Sequence, residues 1–521
     1  LNPADNIIQA LASGETFGEF ARHYGSVQTI EASSLAGSSR AVLLAAVAQS
    51  RGGVHVVVAD ERDDAAYLAN DLYNFLERGR VLFFPTAYKR SIEYGQQDAS
   101  GIIQRTAALN AVKNFGVGVA GAQTGPARVE AAVKPRLAGR SAQPAEAGAG
   151  LAADYLVLVT WPEALAEKVV ERKQLISNTL RVSVGEKLSP AFLEEVLAQH
   201  SFAKVDFVYE PGQYSVRGGI VDLFSYSANH PFRVDFFGDT IDSIRSFDLA
   251  TQLSVERLET VEIVPNLKNL ELAGGRVSLA AFVGEATWWI SDLDYTLKRI
   301  DQIRRKILGE MDDPSQIDLR VTSAKGVAED TAAMRMIFFG GNTAARPAGA
   351  KVDFGIKAQP RFNKNFDLLA QDIAANAQQG VTTYILSENK AQIERLGNIF
   401  HSIGHGAVKF IPLNITLHAG FIDRVGKAAY YTDHQIFERY HRYRLEGELE
   451  RSESLAVSEL TSLQVGDYVV HIDHGVGRFG GLVHSTEGGK DQEFIKLVYR
   501  DNDVLLVNVH ALHRISRYKD K

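Results

Sequence analysis

The 521-residue sequence contains no cysteine. That absence excludes disulfides, thiolate metal sites and a cysteine nucleophile together, and it fits a reducing compartment. The opening segment, residues 1–20, lacks the basic region followed by an apolar run that marks a secretory signal. No uninterrupted apolar stretch approaches the roughly 20 residues a membrane span needs. Excess positive charge is missing too. With 56 Lys and Arg against 63 Asp and Glu the net charge is -7, which argues against a chain that coats DNA along its whole length. A local basic patch remains compatible with that balance. What is present is ordinary globular composition, 45% hydrophobic and 23% charged. The length predicts three or four domains rather than one core. These features together describe an expected cytoplasmic protein.

Catalytic motifs are absent as well. A nucleotide-driven motor needs G-x-x-x-x-G-K-[ST], in which backbone N–H groups cradle phosphates, Lys reaches the terminal ones and Ser/Thr holds Mg²⁺. No window has it. The nearest segment is Ser33–Arg40, SSLAGSSR, placed before a helix as a phosphate loop would be. Its first glycine is missing, and Gly37 is followed by Ser38, Ser39 and Arg40, with no Lys after the glycine where the loop needs Lys-Ser/Thr. It reads as a degenerate, non-functional loop. There is no H-E-x-x-H and no G-x-S-x-G, so no catalytic residues are assigned. His471, His474, His484, His510 and His513 crowd the C-terminal end. In a strand-rich segment i and i+3 point to opposite faces, which is poor geometry for one ion. No metal site is assigned.

The segments that are present fall into blocks. Residues 41–50, 54–60, 63–79 and 81–86 alternate helix, strand, helix, strand, and 155–170 repeats a strand and then a helix entered through Pro162. This rhythm predicts a parallel sheet covered by helices. Residues 116–153, dominated by Ala and Gly, have few large side chains to bury and read as a flexible insertion or poorly ordered loop. A helical fragment near 127–133 is the alternative.

From 179 to 264 the texture is that of a small α+β domain. Residues 188–202 form an amphipathic helix, with Ser189 as a candidate N-cap before Pro190. The β-rich runs 214–224, 232–237 and 240–248 follow, the last two split by a Gly-Asp hairpin signal. In FRVDFF, Phe232, Val234 and Phe236 share one face, and Arg233, Asp235 and Phe237 the other. If the first set is core, the second is partly exposed, and Phe beside Arg there suits an interaction surface. The plainer reading is a salt-bridged strand with an ordinary rim aromatic. Arg217 precedes Gly218-Gly219, where a bulge would re-aim its side chain.

Residues 265–355 read as helix mixed with irregular segments, including an amphipathic helix within 288–311. Residues 356–449 alternate again as a smaller α/β domain, with 435–453 a charged connector helix. Short β runs at 467–473, 477–485, 493–500 and 503–509 predict a small barrel.

Two stretches then carry a resemblance. Residues 212–248, GQYSVRGGIVDLFSYSANHPFRVDFFGDTIDSIRSFD, are similar to the domain shared by the excision-repair helicase UvrB and bacterial transcription-repair coupling factors. Residues 465–482, VGDYVVHIDHGVGRFGGL, resemble the start of the RNA polymerase-interacting module of those factors, also found in CarD-type regulators. IEYGQQDASGIIQRTAAL (92–109), WPEALAEKVV (161–170), FNKNFDLL (362–369) and YYTDHQIFERYHRYR (430–444) lie in the order that family implies.

The resemblance implies a multidomain α/β and α+β architecture. A degenerate UvrB-like motor-type domain would occupy 1–178 and continue in 265–355, with a UvrA-binding domain inserted at 179–264. A small α/β domain (356–449), a linker (450–462) and a Tudor-like polymerase-interacting barrel (463–521) would follow. It further implies a transcription-coupled repair adaptor that recruits UvrA, the damage-recognition protein, through Arg217, Arg233 and Phe237. The barrel would dock an edge strand on the polymerase β subunit, with Arg478, Leu482 and Ser485 around that edge. In the family, ATP, Mg²⁺ and DNA belong to a translocase motor that this sequence lacks, so no cofactor and at most weak DNA contact are expected here. The rival readings are a UvrB-type nucleotide-driven remodelling enzyme and a CarD-like regulator.

Overall fold

A computed structural model of the chain describes residues 3–87, 99–116, 154–249, 252–267, 275–311, 313–340, 344–404, 408–439, 464–471, 474–487, 490–500, 503–508 and 515–518. The Ala/Gly-rich segment, except Gly116, and the 450–462 connection lie outside these residues, as does most of the charged 435–453 segment. The last begins instead with a one-turn helix, Asp433–Ile436, that ends before Phe437.

Strands β1 (Thr29–Ser33), β2 (Gly53–Val58), β3 (Val81–Phe83) and β4 (Tyr155–Thr160) alternate with helices α1 (Pro3–Ala12), α2 (Glu15–Ser26), α3 (Ser39–Arg51), α4 (Arg62–Phe75) and α5 (Ala99–Asn114). The expected parallel pairing is present. Helix α3 buries every residue from Ala41 to Ala48, because it is packed between α1, α4 and the sheet and has no solvated stripe.

The chain then leaves this sheet and builds an antiparallel one from β5 (Ala203–Lys204), β6 (Gln213–Arg217), β7 (Ile220–Leu223), β8 (Phe232–Phe237), β9 (Thr240–Phe247) and β10 (Ser254–Leu258). The order is β10-β9-β8-β7-β6-β5, with only β5 and β6 parallel. One face is closed by helix α6 (Pro190–Gln199), whose N-cap Ser189 accepts the Phe192 amide at 3.2 Å. Leu193 and Leu197 of α6 share a core with Val221, Leu223, Val234 and Ile244. Gly218 and Gly219 form the two-residue turn between β6 and β7, not a bulge. The Arg217↔Ile220 pair closes a hairpin, and Gly218 takes a φ of +60° that L side chains resist. The irregularity lies instead between Asp235 and Phe236, where β9 carries one extra residue.

Residues 265–355 hold more strand than expected. After β11 (Thr287–Ile290) comes the long helix α7 (Leu293–Glu310), then β12 (Arg335–Phe338) and β13 (Ala350–Asp353). All three strands join the first sheet, giving the parallel order β13-β1-β12-β11-β2-β4-β3. Runs as short as TWWI and RMIF have no period that separates strand from helix.

A mixed sheet follows: β14 (Lys357–Ala358), β15 (Thr382–Leu386), β16 (Ile411–Leu413), β17 (Phe421–Asp423) and β18 (Ala428–Thr432), in the order β14-β17-β18-β15-β16. Helices α8 (Phe366–Gln378) and α9 (Lys390–Ser402) cover one side. From the other, Ile415, Leu417, Phe421 and Tyr430 continue into the core of the first sheet. The C-terminal residues form an antiparallel sheet of β19 (Tyr468–His471), β20 (Gly475–Glu487), β21 (Lys490–Val498), β22 (Val504–Asn508) and β23 (Ile515–Arg517), ordered β22-β21-β20-β19-β23.

Candidate functional site

The face of the antiparallel sheet opposite its core carries an organised set of charges. Register places Ser215, Asp222, Arg233, Arg245 and Arg257 in one row across β6 to β10. Asp222 is the hub. Its side chain is only 3% exposed. It accepts Arg233 Nε at 2.6 Å on one oxygen and Arg233 Nη2 at 2.8 Å on the other, a two-pronged pairing. Arg217 Nη2 also donates to Asp222. Each guanidinium lies over a ring: Arg217 over Phe207 at 5.1 Å and Arg233 over Phe247 at 4.6 Å. The Asp222 carboxylate raises the Arg233 pKa further above its usual value. One carboxylate thus serves two cations, and the cluster keeps one positive charge. On the same strand Asp235 pairs with Arg245 at 2.9 Å.

Phe237 ends β8 and is 84% exposed, the most exposed large apolar side chain among the described residues. It precedes the Gly238–Asp239 turn, so neither strand can cover it. Arg217 at the end of β6, and Arg233 and Phe237 towards the two ends of β8, fall by strand alternation on the face opposite the core. Phe236, on the other face, packs against the core.

The degenerate loop is not an open cradle. Gly37 has φ +57°, and the Ser38 amide that would meet a phosphate donates at 3.0 Å to the Ala419 carbonyl, from the segment before β17. The Ala419 amide returns a bond to Ser38 Oγ at 3.0 Å. A side chain added at Gly37 would meet the Gly420 carbonyl at 2.6 Å. Ser39 Oγ is turned to the Ala36 carbonyl at 2.7 Å, and Arg40 Nε to that of Leu35 at 3.3 Å. Buried Asp71 accepts the His418 amide at 2.7 Å, and burial pushes its carboxyl up to about 7 despite bonds from Ser38 and His418. Asn74 holds the Thr416 carbonyl at 2.9 Å.

In the C-terminal sheet, Arg478 Nη2 donates to the Tyr468 hydroxyl at 2.8 Å and its guanidinium lies over that ring. Leu482 is half exposed. Ser485 pairs with Gln492 on β21, and its side chain lies outside the described residues. On β20, strand β19 reaches only Gly475–Arg478; its other edge pairs with β23. Beyond the irregularity at 480–481, no strand pairs with 482–487 on that side among the described residues. Among the described residues, half of β20 therefore presents an open edge. His471 and His474 lie with ring centroids 4.8 Å apart. Strand alternation does not separate them, because β19 stops at His471 and His474 is in the following turn. No group of three metal-ligating side chains occurs among the described residues. His510 and His513 lie outside them, as does the His484 side chain.

Comparison with known proteins places both regions. Residues 180–268 match the UvrB interaction domain family, and 463–519 match the CarD-like/TRCF RID domain family. The transcription-repair-coupling factor of Escherichia coli K12 is 24% identical over 431 residues, covering 70% of this chain and 37% of that protein. Those of Bacillus subtilis 168 and Haemophilus influenzae Rd are 22% and 24% identical, covering 66% and 68% of this chain. Over about two thirds of its length the chain is similar to transcription-repair-coupling factors. It spans a little over a third of the length of the curated relatives it matches. No described helix is long and apolar enough to cross a membrane.

Sequence reasoning missed Asp222. The available signal was partial: a Gly-Gly turn puts 217 opposite 220 and 215 opposite 222, which brings Asp222 near Arg217, whereas its pairing with Arg233 depends on which strand lies beside β7. Phe207 and the Ala419 segment carried no comparable mark.

Proposed function

We propose that the chain is a transcription-coupled repair adaptor with two separable docking surfaces. The first binds UvrA through Arg217, Arg233 and Phe237. The observation that supports it best is the pair of arginines tied to one buried carboxylate beside an apolar side chain exposed at 84%, within the segment matching the UvrB interaction domain. Exposed aromatics and arginines held in fixed geometry dominate binding energy at interfaces. The second surface binds the RNA polymerase β subunit by strand addition to the open half of β20 in a Tudor-like barrel, with Leu482, Arg478 and Ser485 around it.

The adaptor works in the cytoplasm without cofactor, ATP or Mg²⁺ in these 521 residues. Contact with DNA belongs to the full-length family protein. A carbonyl in place of a phosphate in the loop supports this reading over that of a nucleotide-driven remodelling enzyme. A UvrA site far from residues 463–519 separates it from that of a CarD-like regulator. A pull-down with UvrA tests the first surface: Arg217→Ala, Arg233→Ala and Phe237→Ala together abolish capture while the chain stays folded, at a lowered melting temperature because Asp222 loses its partners. Capture that survives all three overturns the assignment.

A further inference from the structure

Asp222 is built to act through the arginines, not on a partner. Its carboxylate is 3% exposed, beneath guanidinium groups that are 39% and 19% exposed. It lies on the face away from the hydrophobic core, where Val221, Leu223, Val234 and Ile244 already hold β7, β8 and β9 together. Free arginine side chains sample many rotamers and lose that freedom on binding. Here the freedom is removed beforehand. Arg233 is gripped at Nε and Nη2 and stacked on Phe247, and Arg217 is held by Asp222, by the Asp206 carbonyl at 3.4 Å and by Phe207. Of the five N–H groups of Arg233, two are used by Asp222.

We propose that Asp222 is a positioning residue that presets Arg217 and Arg233 as one cationic fork, fitted to a partner surface that offers carboxylates beside an apolar recess for Phe237. This rests on the UvrA-docking reading above and deepens it. A single net positive charge on the fork favours an acidic partner, since a neutral one would leave the exposed donors desolvated without compensation. The ion pair as such is a weak explanation for the residue. Buried pairs stabilise a fold little compared with apolar replacements, whereas preorganisation acts directly on affinity.

Calorimetric titration of the full chain with UvrA tests this, using Asp222→Asn, Asp222→Glu, the pair Arg217→Ala/Arg233→Ala, and that pair with Asp222→Asn. The expected results are a loss of about tenfold or more for Asp222→Asn through faster dissociation, recovery of most affinity in Asp222→Glu, and no further loss on adding Asp222→Asn to the arginine pair. Slow exchange of the Arg233 Nε proton in the unbound chain, abolished by Asp222→Asn with an unchanged melting curve, is the second expected result. It reads positioning even where residual binding is too weak to titrate. Full affinity in Asp222→Asn, an equal loss in the arginine-free background, or a fast-exchanging Nε proton in the wild type overturns the proposal. If the arginine pair and Phe237→Ala both bind like wild type, it is the docking reading that fails.

Discussion

The Ser38 amide donates to the Ala419 carbonyl at 3.0 Å, and the Ala419 amide returns a bond to the Ser38 hydroxyl across 381 positions of chain. A helix N-terminus that would attract a phosphate is thereby satisfied by a neutral dipole of the same chain. These bonds join the first sheet's α3 start to the segment before β17 of the mixed sheet. Gly37→Ala is predicted to loosen this joint, because the added methyl meets a carbonyl at 2.6 Å and the φ of +57° is strained for alanine. The expected cost is about 2 kcal/mol in denaturant unfolding. Fluorescent ATP analogues should bind neither form, and saturable binding to the wild type would contradict the assignment.

Asp71 gives the same joint a pH dependence. Its folded pKa of about 7 lies above the ordinary carboxylate value. Between those values the folded state keeps a proton that the unfolded chain has released, so stability falls as pH rises from about 4 to about 7. Asparagine mimics the neutral acid: its carbonyl accepts the His418 amide and its amide donates to Ser38. Asp71→Asn should therefore flatten the pH profile of thermal unfolding and raise stability near pH 8. A profile with an unchanged slope would contradict this.

Glu262 works in the opposite sense. Burial alone would raise its pKa, but Asn114, Asn110 and Lys113 hold the carboxyl below its usual range. It accepts Asn114 Nδ2 at 2.7 Å and pairs with Lys113 at 3.3 Å, tying α5 to the 260–263 strand. Glu262→Ala strands a nearly buried lysine and should cost about 3 kcal/mol at pH 7. The difference from wild type should shrink as pH falls below the ordinary carboxylate value, because protonation of Glu262 removes the same interaction. Chemical denaturation at pH 7 and at about pH 3 measures both.

At the C-terminal sheet, Leu482→Arg places a desolvation cost on the open edge of β20. Titration with the N-terminal region of the polymerase β subunit should weaken about tenfold or more, with UvrA binding unchanged. Equal loss for both partners would mean unfolding, and no loss would move the interface elsewhere.

The parallel sheet was legible where strands and helices alternate at full length, as in VHVVVAD followed by 63–79. The strands TWWI and RMIF were not, because runs of four that are wholly or mostly buried are too short to set a period. Alternation in FRVDFF separated Phe237 from Phe236, since side-chain direction in a strand is a local property. Asp222 stayed hidden because its role depends on which strands become neighbours. The Ser38–Ala419 joint depends on contact between distant segments, which no local pattern encodes.

The most direct measurement is paired calorimetry of the intact chain with UvrA and, separately, with the N-terminal region of the polymerase β subunit. Two variants complete it: Arg217→Ala/Arg233→Ala/Phe237→Ala and Leu482→Arg. The account predicts that both partners bind the wild type, that the triple variant loses only UvrA, and that Leu482→Arg loses only the polymerase fragment. No heat with either partner, or loss of both from one folded variant, would contradict two separable docking surfaces.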